Sequence, residues 1–246
     1  MIPWKLHSKT GWRFMKINSS LFFHPQLSQD QLVVSLSEET GKHVATVLRM
    51  QVGDSFVLTN GKGLMAKATI LSIEKKNVEV SLSHFENQTA HSPRISLGIG
   101  LLKNTTRFEW MLEKVTELGV HEIFPLITER TERQHFRKER FEQIIRSASL
   151  QSEQTIFPLL HDPQAIHVFL NLDLPSTRFI AHCRDTEKKP LTKQHEDCIV
   201  LIGPEGDFTD IEIDLALKKK FEAASLGETR LRTETAGVIS VALMRG

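Results

Sequence analysis

From Leu21 to Glu86 the apolar residues fall in short runs broken by turn-forming groups. Ser55–Thr59, Ala66–Ile73 and Asn77–Leu82 are rich in Val, Ile, Leu and Thr, side chains that suit a half-buried pleated surface. Val52-Gly53-Asp54, Asn60-Gly61-Lys62-Gly63 and Lys75-Lys76-Asn77 punctuate them with turn chemistry. One short helix is expected near Glu38–Leu48. Short strands with frequent turns predict a small barrel.

Asn87–Pro93 is polar, carries a proline and reads as a linker. Beyond it the rhythm changes. Strands are expected at Ile95–Leu101, Ile123–Leu126, Arg178–His182 and Cys198–Ile202. Helices are expected at Thr106–Leu118, Arg137–Gln151 and Thr209–Lys220. This alternation predicts an α/β domain with a parallel sheet. Trp110, Met111, Leu112, Val115 and Leu118 supply the buried side of the first helix. Thr106 with Glu109, and Thr209 with Glu212, have the spacing of capping boxes.

The 246 residues suffice for one small and one medium domain. The boundaries expected are an extension over 1–18, a barrel over 19–88 and an α/β domain over 92–246. A net charge of +1 excludes a uniformly basic nucleic-acid binder, so any RNA affinity must come from local patches. Residues 1–18 hold Lys5, Lys9, Arg13 and Lys16 without an acid, either as a basic arm or as an over-extended start ahead of Met15. Cys183 and Cys198 are too few for a disulfide framework and suit no common zinc spacing, so both are expected as buried, reduced thiols and no metal is expected. No apolar run reaches membrane-spanning length and no signal peptide is evident, which predicts a cytoplasmic protein without a membrane partner.

Two segments concentrate candidate chemistry. Cys198–Ile202 runs into Gly203-Pro204-Glu205-Gly206-Asp207-Phe208 and then the capped helix from Thr209. Glycines at the C-terminal end of a strand let backbone approach a ligand, and that edge is where open α/β sheets bind ligands. A plain strand-to-helix turn is the competing reading. The second segment runs from Leu226-Gly227 through Glu228-Thr229-Arg230-Leu231-Arg232-Thr233-Glu234-Thr235-Ala236 into the apolar stretch Val238–Met244. Its charges, placed just ahead of a buried helix, need partners or ligands. Neither segment matches a nucleotide phosphate loop or a dinucleotide fingerprint.

Together the two segments resemble the ribosomal RNA small-subunit methyltransferase E family. The resemblance rests on Leu201-Ile202-Gly203-Pro204-Glu205-Gly206 with Phe208, and on Leu226-Gly227 followed by Arg230-Leu231-Arg232-Thr233-Glu234-Thr235-Ala236. Lys103 with Glu109-Trp110, Lys114 with Thr116-Glu117-Leu118-Gly119-Val120, and Thr128-Glu129-Arg130 extend it. So do Arg140, Gln151-Ser152 and Pro158. His43, Val47-Leu48-Arg49, Gly53-Asp54 and Asn60-Gly61-Lys62-Gly63 carry it into the N-terminal part, so that it runs from Leu21 to the C-terminus.

The resemblance implies a SPOUT-type α/β trefoil-knot methyltransferase domain preceded by a small PUA-like β-barrel. It implies S-adenosylmethionine as cofactor, a homodimer, and methylation of N3 of uridine 1498 of 16S rRNA within the small ribosomal subunit. Leu201, Ile202, Gly203, Pro204, Glu205, Gly206, Leu226, Gly227 and Leu231 are the implied cofactor residues. Arg232 first and Arg230 second are candidates to stabilise negative charge on the base. Glu234 or Glu205 is the candidate proton acceptor, with Glu205 favoured as a loop brace. Arg49, Lys62, Lys103, Arg130 and Arg140 are candidate RNA contacts, and His43 is read either as another or as a core histidine. Another RNA target for a SPOUT enzyme, or a non-catalytic assembly factor, are the rival readings. Two departures stand out. Asp207 occupies a position where many members of the family carry a second glycine, and 153–156 lack an arginine that many members carry there.

Overall fold

The computed structural model describes residues 20–74, 77–132 and 136–246, so the basic segment 1–18 and Arg133 lie outside the described residues. The described chain forms two units. One ends at Asn60 and resumes over Leu64–Asn87; the other comprises Gly61–Gly63 and Gln88–Gly246.

In the first unit, β1 (Leu21–Phe23), β2 (Val33–Ser35), β3 (Ser55–Thr59), β4 (Leu64–Glu74) and β5 (Asn77–Asn87) form one sheet in the order β1-β3-β4-β5-β2. Register shifts between Met65 and Lys67 and between Ile70 and Ser72 bend β4, as bulges do. The bent sheet encloses Phe22, Val44, Phe56, Leu58, Ile70 and Val80. Pairing within the described residues ends at β1 and β2 and does not close the sheet on itself. Helix α1 (Glu38–Lys42), capped by Ser37, continues as a π-helical turn over His43–Val47. His43 is exposed, with its ring against the edge of Phe22 and ring centroids 5.6 Å apart, so the core-histidine reading fails.

The second unit contains β6 (Ile95–Gly100), α2 (Thr105–Glu117), β7 (Glu122–Ile127), α3 (Lys138–Gln151), β8 (Leu159–Leu160), β9 (Gln164–Ala165) and α4 (Ile166–Phe169). It continues with β10 (Thr177–Ala181), β11 (Lys189–Pro190), β12 (Cys198–Ile202), α5 (Asp210–Lys218), β13 (Glu222–Ser225) and α6 (Thr233–Arg245). The strands order as β11-β13-β10-β12-β6-β7-β8, with β9 also on β7, and every pairing is parallel. Every residue of β12 is buried, which its uninterrupted apolar run requires of a central strand covered on both faces. Cys198, Val200 and Ile202 share a core with Met111, Val115 and Val241 of α2 and α6. Ile199 and Leu201 share the opposite core with Phe169 of α4 and Ile213 of α5. Fully burying each such side chain stabilises by roughly 1.5–3 kcal/mol.

Helix α6 leaves β13 on one side of β10, then packs beside β6, β12 and α2 on the other. The chain thus passes back across its own sheet. Arg245 pins the end of that passage by donating to the carbonyls of Pro93 (2.9 Å) and Gly119.

Three expectations need correction. Helix α2 is capped by Asn104, whose side chain accepts from Arg107 N, and not by a Thr106–Glu109 box. Asparagine is as good a cap, and with the helix starting at Thr105 the Glu109 carboxylate turns to Arg140 instead. Trp110 is 44% exposed, because the buried arc runs through Phe108, Met111, Leu112 and Val115. At 100° per residue, position 110 falls outside that arc. Cys183 is exposed in the turn after β10, whereas Cys198 is buried with its Sγ 3.7 Å from Met244 Sδ. Burial pushes the Cys198 thiol up to about 11.

Candidate active site

Strands β10, β12 and β6 end level with one another, Ala181 beside Ile202 and Ile202 beside Ile99. The C-terminal turns of β10, β12 and β13 frame a cleft of about 680 Å³. One wall is Gly203, Pro204, Glu205 and Asp207, and another runs from Ala224 to Glu234. His182 and Cys183 close it from β10, and Arg107 from α2. Two glycines make this shape possible. A Cβ on Gly100 would lie 2.4 Å from Pro204 N, so β6 can meet the wall only with glycine there. Gly227, at φ +130, turns the chain from β13 into the second wall, a conformation other residues rarely adopt.

The turn 203–208 is tied to each neighbouring strand end. Glu205 accepts from Lys103 N after β6 (3.0 Å). Gly206 and Phe208 offer their carbonyls to Arg130 Nη1 after β7 (2.7 and 3.3 Å). Asp207 accepts from Cys183 N after β10 (2.7 Å) and from Phe208 N (2.8 Å). Asp207 has φ +63, which costs a non-glycine residue about 1 kcal/mol. Hydrogen bonds to a charged acceptor contribute about 1.5–3 kcal/mol each, so the two bonds outweigh the strain. Where the resemblance leads one to expect a glycine, this chain holds a residue that takes a left-handed backbone and adds a tie.

Of the expected cofactor residues, Ile202, Gly203, Pro204, Glu205, Leu226, Gly227 and Leu231 line the cleft. Leu201 instead points into the α5-side core, and Gly206 turns against the Arg130 stem, 3.2 Å from where its Cβ would be. Arg230 and Arg232 are exposed on the rim, and neither side chain makes a hydrogen bond or ion pair among the described residues. Arg232 is also the residue preceding α6, its carbonyl accepting from Ala236 N. Glu234, in the first turn of α6, is buried, with Oε1 3.6 Å from Arg107 Nε and Oε2 without a hydrogen-bond partner.

Sequence reasoning missed Arg107, His182 and Asp207 as cleft residues. His182 was readable, since it ends a predicted strand at the ligand-binding edge. Arg107 was not, because only the return of α6 against α2 brings it to Glu234. The His182 ring is buried, and its nitrogens lack partners that meet hydrogen-bond geometry. Burial first, then Lys188 and Arg184, lowers its pKa against the opposing pull of Asp207. Partial burial and Asp207 raise the Cys183 thiol, so it is not poised as a nucleophile.

The expected RNA contacts fall in both units. Arg49 is exposed at φ +54 after the π-helical turn, and Lys62 is exposed in a turn bridged to Ile156. Lys103 Nζ lies 2.7 Å from Glu132, and Arg140 is paired with Glu109 at 3.2 Å. Arg130 is engaged with the cleft wall as described above. Among the described residues, no cluster of His, Cys, Asp and Glu could hold a metal ion, and no helix is long and apolar enough to cross a membrane.

A model of the RNA methyltransferase domain matches residues 90–245, and one of the RNA methyltransferase PUA domain matches 36–83. Ribosomal RNA small subunit methyltransferase E of Buchnera aphidicola is 30% identical over 222 residues, covering 85% of this chain and 86% of that protein. The crystal structure of a probable rRNA-methyltransferase from Porphyromonas gingivalis is 36% identical, with a TM-score of 0.84 over 91% of this chain and 95% of that one. A ribosomal RNA small subunit methyltransferase E from Neisseria gonorrhoeae, solved bound to S-adenosyl methionine, is 28% identical, with a TM-score of 0.80 over the same shares. The α/β unit is therefore a SPOUT-type methyltransferase domain and the β unit is PUA-like. With the cleft at its expected edge and matches across both units, the chain belongs to the ribosomal RNA small subunit methyltransferase E family.

Proposed function

We propose that this protein transfers a methyl group from S-adenosylmethionine to N3 of uridine 1498 of 16S rRNA. The observation that carries this reading is the pair of arginines, Arg230 and Arg232, whose side chains have no partner among the described residues, on the rim of a cleft lined by residues of 203–207 and 224–234.

The cleft suits the cofactor. Its volume falls in the range of small-molecule sites. Ile202, Leu226 and Leu231 offer apolar surface, backbone of the glycine turns offers donors and acceptors, and the Glu234 Oε2 awaits a partner. Lining cations Arg107, Lys188, Arg230 and Arg232 are matched by Glu205, Asp207, Glu228 and Glu234, so no net charge repels a cationic donor. When bound, the cofactor supplies an electrophilic methyl on a sulfonium.

The protein's own part is positioning and charge. Uracil N3 carries a weakly acidic proton that must leave before its lone pair attacks. Arg232, assisted by Arg230, stabilises the negative charge that then spreads over the base. Arginine stays protonated and is a poor base, so a carboxylate takes the proton. Glu234 is the better acceptor, since Glu205 is committed to Lys103 N. Glu234→Gln should lower single-turnover rate at saturating cofactor; an unchanged rate would remove it from the mechanism.

Arg49, Lys62, Lys103 and Arg140 are the proposed phosphate contacts. The pair that holds Lys103 is exposed at both ends and the one that holds Arg140 is exposed at the arginine, so both cations are exchangeable for phosphate. Arg130 is better read as a brace of the cleft wall, with any RNA contact secondary. The small net charge gives little non-specific capture of naked strands, so the small ribosomal subunit is the proposed substrate, met in the cytoplasm. A two-fold homodimer is the proposed working form. Sedimentation showing only monomer at micromolar concentration would contradict that.

The direct test incubates purified protein with methyl-labelled cofactor and small subunits, then maps the label by mass spectrometry of nuclease fragments. Label on uracil N3 is expected. Label on a ribose 2′-oxygen, or none, would overturn the proposal.

A further inference from the structure

We infer that Asp207 is a positioning residue for cofactor binding, fixing the turn after β10 against the wall 203–208 so that the cleft is formed before the cofactor enters. The inference rests on the proposed use of S-adenosylmethionine and adds a residue to it.

Three side-chain ties hold the 203–208 wall, and they are not equivalent. Lys103 and Arg130, which take part in two of them, lie outside the cleft lining. The Asp207 tie has both ends on the lining, Asp207 on one side and Cys183 on the other. It therefore fixes the spacing of two surfaces that a ligand would touch. The carboxylate is fully used: one oxygen accepts from Cys183 N at 2.7 Å and the other from Phe208 N at 2.8 Å. The wall is folded tightly around it, with Asp207 N donating to the Pro204 carbonyl at 2.9 Å and Asp207 Oδ1 lying 3.0 Å from where a Gly203 Cβ would be. A left-handed backbone at a non-glycine residue persists only where the surroundings over-determine it. Here the surroundings are the two walls of the cleft.

The turn after β10 has a second anchor away from the cleft. Arg184 Nη1 is 2.7 Å from Asp214 and 3.7 Å from Asp210, both on α5. Removing the Asp207 carboxylate therefore releases the cleft end of the turn while α5 still holds the rest. The ordering that Asp207 completes in advance would then fall on the binding step, and affinity would drop.

The test compares wild type with Asp207→Gly and Asp207→Asn. Glycine accepts the φ of +63 without strain, so the first variant removes the ties and leaves the backbone path open. Asparagine tolerates the same conformation and keeps one acceptor oxygen. In Asp207→Gly, calorimetric affinity for S-adenosylmethionine and for S-adenosylhomocysteine should fall about tenfold, the scale of one lost charge-assisted hydrogen bond. The KM for cofactor should rise by a larger factor than kcat falls. Hydrogen exchange at the Cys183 amide should be slow in cofactor-free wild type, fast in cofactor-free Asp207→Gly, and slow again once cofactor is added. Asp207→Asn should lie between the two in affinity and in exchange. Wild-type affinity in Asp207→Gly, or a loss of affinity matched by an equal loss in Asp207→Asn with the Cys183 amide still protected, would overturn the inference. Failure of wild type to bind either ligand would instead overturn the proposed function.

Discussion

At the scale of single residues, function rests on side chains whose exposure departs from what their neighbours suggest. The Arg232 side chain is exposed on the cleft rim and makes no hydrogen bond or ion pair among the described residues, although it directly precedes a buried helix. A brace would be bonded to something. A group that acts on charge developing in the transition state lowers kcat when removed and leaves ground-state affinity nearly intact. Arg232→Ala should therefore reduce single-turnover rate by about a hundredfold or more, with cofactor affinity and melting temperature close to wild type. Arg232→Lys should recover only part, because a point charge cannot reproduce the planar fork. Parallel losses of rate, affinity and melting temperature would show that Arg232 only supports the turn. Residues of this kind were legible in the sequence because two arginines ahead of an apolar run stand out. Arg107 was not legible, since its neighbour Glu234 is distant in the chain and is reached only through the path of α6.

At the scale of elements, the sequence was most informative where burial is two-sided. The apolar run Cys198–Ile202 predicts a strand with the limits that β12 has, and its central place comes from the strand order. The edges β1 and β2 were missed because three residues cannot display alternation. The outward side of α2 was misread because aromatic character says nothing about which arc a helix buries, and Trp110 lies outside it. The cap of α5 was read correctly. Both halves of the Thr209–Glu212 box are present, and Glu212 Oε1 also accepts from Glu129 N at 2.9 Å in the turn after β7. That second bond was not readable, and it makes the two cap residues unequal. Thr209→Ala should destabilise by about 1 kcal/mol, the usual loss of a cap. Glu212→Ala should cost about 2–3 kcal/mol, because it strands the amides of both Thr209 and Glu129 in a part-buried place. Calorimetric unfolding of the two variants checks the order; equal losses would mean that the bond to Glu129 contributes nothing.

At the scale of the whole molecule, burial of uncharged histidines links stability to pH. Burial lowers the pKa of His24, His121 and His182 below the ordinary 6.5, with Lys188 and Arg184 adding to the effect at His182. Well above 6.5 these rings are neutral in both folded and unfolded chains, and their contribution is fully present. Between 6.5 and the depressed folded values the unfolded chain binds more protons, so stability erodes as pH falls through that window. The melting temperature should decline on acidification below about 6.5, and His182→Gln should flatten part of the decline; an identical slope in the variant would remove His182 from the effect. On the proposed function, the near-zero net charge and the charge-balanced cleft give little non-specific grip on bare strands, which favours a base presented by a folded particle. That claim is tested most directly in ribosomal RNA from cells lacking this protein, by measuring 3-methyluridine at position 1498 of 16S rRNA. The account predicts that the modification is absent there, returns with the wild-type protein, and does not return with Arg232→Ala. Full modification in its absence, or equal restoration by both proteins, would contradict it.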